Sequence, residues 1–319
     1  MAAPPVPLTE AEKEHFLKYG YLHLKNCFSR SQAAELTSGL WTRLGMSPDD
    51  KSTWTKPRIN MPSHSTFDAS AVAPRAWYAI CELCGGEDRI EAGSRHWRDS
   101  FIVNLGSPEG EGRPVPPREL DNWHVDGDFF VHYLDSPEQG LLVIPLFTDI
   151  RPDGGGTMIC PDAIPRVASW LFEHPDGVSP RMVPRDHPDF ARERNLQWYC
   201  DATQTCESFV EASGEVGDVY LLHPLMMHSA TNNALRIPRV ITNPPVSLQE
   251  PFRFEREDGK YSLVEQKTIQ SLGGEEKLKG WRITKPREAV IPERVRIQEA
   301  MKKDEEKRLK EARELAVAV

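Results

Sequence analysis

Apolar positions follow two different periods along this chain. Near the start they recur at helical spacing. Thr9 is a good N-cap with Glu12 three residues on, and the helix it opens is expected to run to Lys18 and stop at Gly20. Tyr21-Leu22-His23-Leu24 then alternates like a short strand. A second helix is expected from Ser29 or Ser31, with Ala33, Leu36, Leu40 and Leu44 on its apolar side. Pro74 suits a third helix entry, Ala76 to Leu83 continues it, and Gly85-Gly86 breaks it. Residues 1–8 are Pro-rich and expected to be disordered. Residues 47–73 are polar and rich in Ser, Thr and Pro, and read as a long loop, either a lid or a disordered insertion.

Beyond residue 98 the pattern changes to short apolar runs between Gly and Pro turns. Strands are expected at 98–104, 140–147, 157–161, 209–210, 219–222 and 238–243, with one helix over 163–172. Residues 106–118 read as loop, and 174–197 as loop with some helix. Many short strands with helices mainly at the start favour a barrel or sandwich over alternating βαβ units. From Glu288 to Leu315 the chain is dense in Lys, Arg and Glu, with only Ile297, Met301 and Leu309 as a thin apolar stripe. That is the pattern of a solvated helix laced with charge pairs, or of a helix making a homodimer contact.

Composition narrows the function classes. The chain has 319 residues, 39% hydrophobic and 27% charged, as expected of a soluble globular protein. A formal net charge of -9, with no isolated Lys/Arg cluster, argues against a nucleic-acid partner. The run 141–147 is too short to span a bilayer. The N-terminus has neither a basic n-region nor an apolar h-region, and the C-terminus is not a peroxisomal signal, so a cytoplasmic location is expected. The six cysteines are then expected to be reduced. Cys81 and Cys84 have the spacing of half a zinc site, but no second such pair exists and their flanks read as a packed helix. Gly154-Gly155-Gly156 lacks the Lys and the helix start of a phosphate-binding loop.

The candidate chemistry centres on Asn122-Trp123-His124-Val125-Asp126-Gly127-Asp128. If extended, His124 and Asp126 point to one face and Val125 to the other. An imidazole and a carboxylate converging from one strand make two thirds of a 2-His-1-carboxylate triad, which holds Fe(II) on one side and leaves positions open. By itself the pair is more often a polar strand end. A third ligand needs a later strand, and the run 217–229 offers His223 and His228. Arg239 lies in an otherwise apolar strand, where a guanidinium is costly unless paired. A bound dicarboxylate could pair it, and so could an internal acid such as Asp218.

In order and spacing, these motifs resemble the phytanoyl-CoA dioxygenase family of Fe(II)/2-oxoglutarate-dependent oxygenases. The resemblance spans most of residues 8–245. It runs from Leu8-Thr9-Glu10 and Gly20-Tyr21-Leu22 through Trp123-His124-Val125-Asp126 and Gly155-Gly156-Thr157 with Pro161. It ends at Gly217-Asp218, His223-Pro224-Leu225, His228 and Pro238-Arg239. It implies that the core, about 98–245, is a double-stranded β-helix (a cupin-like jelly roll) in a mainly β domain with flanking helices over 1–255. Residues 256–319 are then an extension ending in a charged helix. It implies His124, Asp126 and His228 as metal ligands, with His223 outside the set. Arg239, which follows His228 by eleven positions, would anchor 2-oxoglutarate. Thr157 matches a 2-oxoglutarate contact, and Asn122 stands where similar enzymes often carry Gln.

The implied cofactors are Fe(II), 2-oxoglutarate and O2. The implied reaction oxidises, most simply hydroxylates, a C–H bond and releases succinate and CO2. Desaturation, epoxidation and rearrangement also occur in the family. Asp126 argues against the related halogenases, which carry Gly or Ala there. The sequence departs from the family where Ser229-Ala230 follows His228 and where Val125 separates the first two ligands. An acyl-CoA substrate is not expected, since no basic cluster awaits its phosphates. Trp123, Phe129, Phe130 and Tyr133 read as an apolar pocket wall or as ordinary core, and the wall reading points to a small, largely apolar substrate of secondary metabolism. The rival readings are a cupin-like dioxygenase without 2-oxoglutarate and a catalytically silent binding protein of the same fold.

Overall fold

A computed structural model describes residues 6–317. The expectation of disorder over 1–8 lies mostly outside these residues. Within them Leu8 is buried, and its amide donates to Glu82 of a later helix. Helix α1 (Glu10–Tyr19) begins in the expected capping box of Thr9 and Glu12. Gly20 ends it at φ 76°, and a Cβ there would stand 2.2 Å from Ile164, so glycine is required on two counts. Strand β1 (Tyr21–Leu24) follows.

The second expected helix is two helices, α2 (Arg30–Leu36) and α3 (Leu40–Leu44). The break falls at Thr37-Ser38-Gly39, residues that favour turns over helix interiors. Residues 47–73 are not a plain loop. They hold β2 (Arg58–Asn60), β3 (Thr66–Asp68) and α4 (Ala69–Val72). Each strand is three residues long with a single apolar residue, Ile59 or Phe67, too short for any period to register. Helix α5 (Pro74–Cys84) starts at its proline as expected. The strand expected over 98–104 is split into β4 (His96–Arg98) and β5 (Ile102–Asn104).

The remaining elements are β6 (Leu141–Pro145), β7 (Thr157–Cys160), α6 (Ile164–Glu173), α7 (Gln197–Thr203), β8 (Val210–Ala212), β9 (Val219–Leu222), β10 (Met227–Ala230), β11 (Arg239–Ile241), β12 (Pro245–Val246), α8 (Leu263–Ser271) and α9 (Arg294–Val317). All strand pairings are antiparallel. One sheet runs β1-β9-β6-β12, and a second runs β10-β7-β8. A third, β11-β5-β2, joins the first where Leu146 bridges Ile241. Strands β6 and β9 are buried along their whole length, which explains their unbroken apolar runs. The helices hold more residues than these short strands, so the chain is mixed in content although the sheets form its centre.

The segment beyond 255 packs on this centre. Helix α8 lies against α1, α5 and α6, and its buried Glu265 takes a bidentate pair from Arg89 and a further bond from Arg256. Helix α9 is solvated on most faces but packs on α3. Its buried Glu305 accepts from Arg43 Nε at 2.8 Å and lies 2.9 Å from His64 Nε2. Arg43 in turn bonds Asp99 and the Pro62 carbonyl. No helix among the described residues is long and apolar enough to cross a membrane. Removing one partner of a buried ion pair leaves the other without compensation, so Glu305→Ala should cost about 3 kcal/mol. The loss would be read as a lower urea midpoint, with the exposed Glu311→Ala as a control that leaves the midpoint in place.

Candidate metal centre

The stretch 123–126 joins the edge of the second sheet through a single bridge at His124. His124 and His228 exchange both backbone bonds, N–H to carbonyl at 3.0 and 2.9 Å. Alternation then sorts the side chains. Trp123 and Val125 enter the core, and the indole N–H donates to the Pro117 carbonyl at 3.0 Å. His124 and Asp126 take the other face. Gly127 turns the chain at φ 120°, where a Cβ would meet the Phe130 ring at 2.5 Å.

His124, Asp126 and His228 come together, with one donor atom from each lying within 4.8 Å of the others. Asp126 Oδ1 lies 3.5 Å from His124 Nε2 and 3.4 Å from His228 Nε2. The ring tautomers follow from their neighbours. His124 Nδ1 lies 2.7 Å from the Asn122 carbonyl, and His228 Nδ1 lies 3.1 Å from that of Met226. A carbonyl only accepts, so both Nδ1 atoms carry protons, and Nε2 is the atom that each ring turns towards Asp126. Asn243 Nδ2 donates to Asp126 Oδ2 at 3.2 Å and so orients the carboxylate. Burial alone would raise the Asp126 carboxyl, but the two imidazoles outweigh it and hold the group well below the usual range. His228 is raised for the reciprocal reason, the attraction of Asp126 exceeding the cost of burial. Two imidazole nitrogens and a carboxylate oxygen, oriented by backbone carbonyls and an amide, are a donor set that fits a divalent first-row metal.

His223 lies elsewhere. It is fully buried, its Nδ1 accepts from the Leu225 amide, and its Nε2 lies 3.0 Å from Thr268 Oγ1 on α8. Both of its nitrogens are engaged within the protein. Thr157 faces the same side of the sheet as His228, since it pairs with Ala230, two residues on. Asn122 lies next to the cluster, and its observed contact is the backbone carbonyl that holds His124.

Arg239 is only 2% exposed. Its Nε donates to the Gly155 carbonyl at 2.7 Å and its Nη1 to that of Ile102 at 3.3 Å. Among the described residues no carboxylate forms a salt bridge with it. Asp218, the acid considered as its partner, is taken by His23, Lys25 and the Asn26 amide. Burial and the nearby Arg58 charge push the guanidinium down to about 9, with Glu211 opposing them. Arg58 sits on the same sheet face, one strand beyond Asn104.

The expected aromatic wall is mostly core. Trp123, Phe130 and Tyr133 are buried, and only Phe129 is half-buried. Two of them serve the C-terminal segment. The Tyr133 hydroxyl donates towards the Pro286 carbonyl, and Phe130 bridges Ala289. The Val131 amide donates to Glu288, the Val290 amide donates to Phe129, and Arg294 clasps Asp128. The chain leading into α9 is therefore paired with the residues that directly follow Asp126. Neither this pairing nor Asn243 was legible in the sequence, where Asn243 showed only as the end of a strand. A surface hollow of about 770 Å³ lies between α1, β1 and the 150s loop, lined by His15, Tyr21, His23, Arg151 and Tyr220, away from the cluster.

No protein-family model matches the chain, and no curated protein does. The resemblance to phytanoyl-CoA dioxygenases therefore rests on the short motifs alone. Solved structures are distantly similar. The alpha-ketoglutarate-dependent carbocyclase SnoK of nogalamycin biosynthesis is 17% identical over 77% of this chain and 87% of its own, with TM-score 0.44. EctD from S. alaskensis, determined with 2-oxoglutarate and 5-hydroxyectoine, is 16% identical over 77% and 78%, with TM-score 0.43. HygX from Streptomyces hygroscopicus, with nickel and 2-oxoglutarate bound, is 12% identical over 78% and 91%, with TM-score 0.40. Likenesses at this level do not say what this chain binds or does.

The two kinds of histidine make a testable contrast. Burial pushes His223 down to about 3, against 6.5 for a free imidazole. It stays neutral in the fold while the unfolded chain takes up a proton, so its contribution to stability is present above pH 6.5 and falls as the pH drops towards 3. One such group gives a slope of about 1.4 kcal/mol per pH unit. Urea unfolding of His223→Gln at pH 6.5, 5.5 and 4.5 should show a slope reduced by about that amount relative to the parent.

Proposed function

We propose that the chain is a non-haem Fe(II)- and 2-oxoglutarate-dependent dioxygenase. It would use His124, Asp126 and His228 to hold the metal and Arg239 to hold the co-substrate. The observation that carries this reading is the buried Arg239 guanidinium without a carboxylate partner in a chain that also assembles a two-histidine, one-carboxylate cluster. A buried cation is costly unless an anion meets it, and the distal carboxylate of 2-oxoglutarate supplies that anion in the bidentate form a guanidinium favours.

With Fe(II) and 2-oxoglutarate in place, such a centre supplies oxidation of a substrate C–H bond by O2, with succinate and CO2 as co-products. The chain's own part is to position. The Asn122 and Met226 carbonyls keep both imidazoles in the tautomer that presents Nε2, and Asn243 keeps the Asp126 carboxylate turned towards them. Thr157 and Asn122 take the roles of polar contacts to the co-substrate. The β1-β9-β6-β12 and β10-β7-β8 sheets are read as the two faces of a double-stranded β-helix within a 1–255 domain. Residues 256–319 form an extension whose 286–294 stretch flanks the metal side. Hydroxylation is the expected outcome. Because most of the aromatic residues that suggested an apolar substrate belong to the core, the substrate is proposed only as a small organic molecule.

The test is an anaerobic titration of metal-free protein with Fe(II) and then 2-oxoglutarate, watching for the weak visible metal-to-ligand charge-transfer band. The band is expected in the parent and in His223→Gln, and absent in His228→Ala. Arg239→Ala should raise the 2-oxoglutarate concentration needed by about 10- to 100-fold, the loss of a charge-assisted pair worth roughly 1.5–3 kcal/mol. A parent protein without the band overturns the reading. A band that appears at the same 2-oxoglutarate concentration without Arg239 removes that residue's role.

A further inference from the structure

A second cluster of metal-binding side chains lies on the opposite side of the sheet that carries His228. Cys160 is the last residue of β7, opposite Met227, and so faces away from His228 and Ile159. Asp162 follows two residues later in the turn before α6, and Cys206 comes from the turn after α7. The two sulfurs and one Asp162 carboxylate oxygen all lie within 4.8 Å of one another. Cys160 Sγ is 3.2 Å from Asp162 Oδ1. We propose that Cys160, Asp162 and Cys206 form a binding site for a thiolate-preferring divalent d10 cation, zinc in the first instance, separate from the His124–Asp126–His228 cluster.

The residues around these three side chains fix them in place. Asp162 Oδ2 accepts from the Glu207 amide at 2.7 Å and the Ser208 amide at 3.1 Å. Those bonds lock the carboxylate to the loop that carries Cys206 and leave Oδ1 turned to the sulfur of Cys160. Arg118 grips the Cys206 carbonyl with two bonds, at 3.1 and 2.7 Å, and Gln204 bonds the Arg118 carbonyl in return. Both cysteines are buried, while Asp162 is exposed, so the cluster is reached from one side only. Among the described residues no Lys, Arg or His forms a salt bridge with Asp162, so no protein cation occupies the position between the three donors.

Two thiolates and a carboxylate match the ligand preference of zinc, with water from the open side completing four-coordination. Binding releases the two thiol protons to solvent, and the ion balances two of the three negative charges. Cys81 and Cys84 make the contrast. Both lie on α5, and they join no group of three possible ligands among the described residues. The cation would tie the end of β7 to the segment after α7, and so brace the strand paired with His228 without entering the chemistry there.

The experiment titrates full-length, fully reduced protein with Co(II) as the probe and follows the ultraviolet sulfur-to-metal charge-transfer band, which a site of imidazoles and a carboxylate cannot produce. Up to two equivalents should develop the band in the parent and in Cys81→Ser, one equivalent should develop it in His228→Ala, and zinc should bleach it. Cys206→Ser should lose it. In the His228→Ala background zinc should also raise the melting temperature, and it should not do so once Cys206→Ser is added, which reports on the site even where the variant is less stable. Absence of the band with all six thiols counted as reduced overturns the proposal. So does a band that survives in both Cys206→Ser and Cys160→Ser.

Discussion

The candidate site depends on one backbone pairing, the reciprocal hydrogen bonds between His124 and His228. Two segments far apart in the chain are made neighbours by it, and the pleat then decides where their side chains go. His124 and His228 face the same side, Asp126 follows by alternation, and Trp123 and Val125 anchor the segment from behind. A slip of this segment by one residue would send His124 and Asp126 towards the core and turn Trp123 out of it. The burial of Trp123 and the site geometry are thus two sides of the same register.

The second constraint is electrostatic. The fold surrounds Arg239 with backbone carbonyls and leaves it without a salt-bridged acid, while Asp218, the internal acid considered for it from the sequence, pairs with Lys25 and holds the β1 turn. Two of the buried carboxylates are closed within the chain, Glu265 by Arg89 and Arg256, and Glu305 by Arg43, while the buried Lys267, like Arg239, meets only backbone carbonyl oxygen. A cost of this kind is retained where a ligand removes it. The C-terminal segment adds a further contribution, because the chain entering α9 is bonded to residues 128–131, directly after Asp126. Helix α9, polar along most of its length, thereby connects the candidate site to α3.

Sequence by itself determined the local rules. Caps and terminators set α1 and α5, unbroken apolar runs set β6 and β9, and the His-x-Asp alternation set which two side chains share a face. These features depend on residues a few positions apart, whose spacing is visible without a fold. Where an element carried a single apolar residue, as β2 and β3 do, the period was absent and the strands were missed. Tertiary structure alone decided the distant pairings. It set the tautomers that separate His228 from His223, the lack of a salt-bridged acid at Arg239, the reach of Asn243 to Asp126, and the meeting of Cys160 with Cys206. Each of these is a contact between strands or loops whose separation along the chain carries no period. Only the closure of the sheets brings such groups within bonding distance.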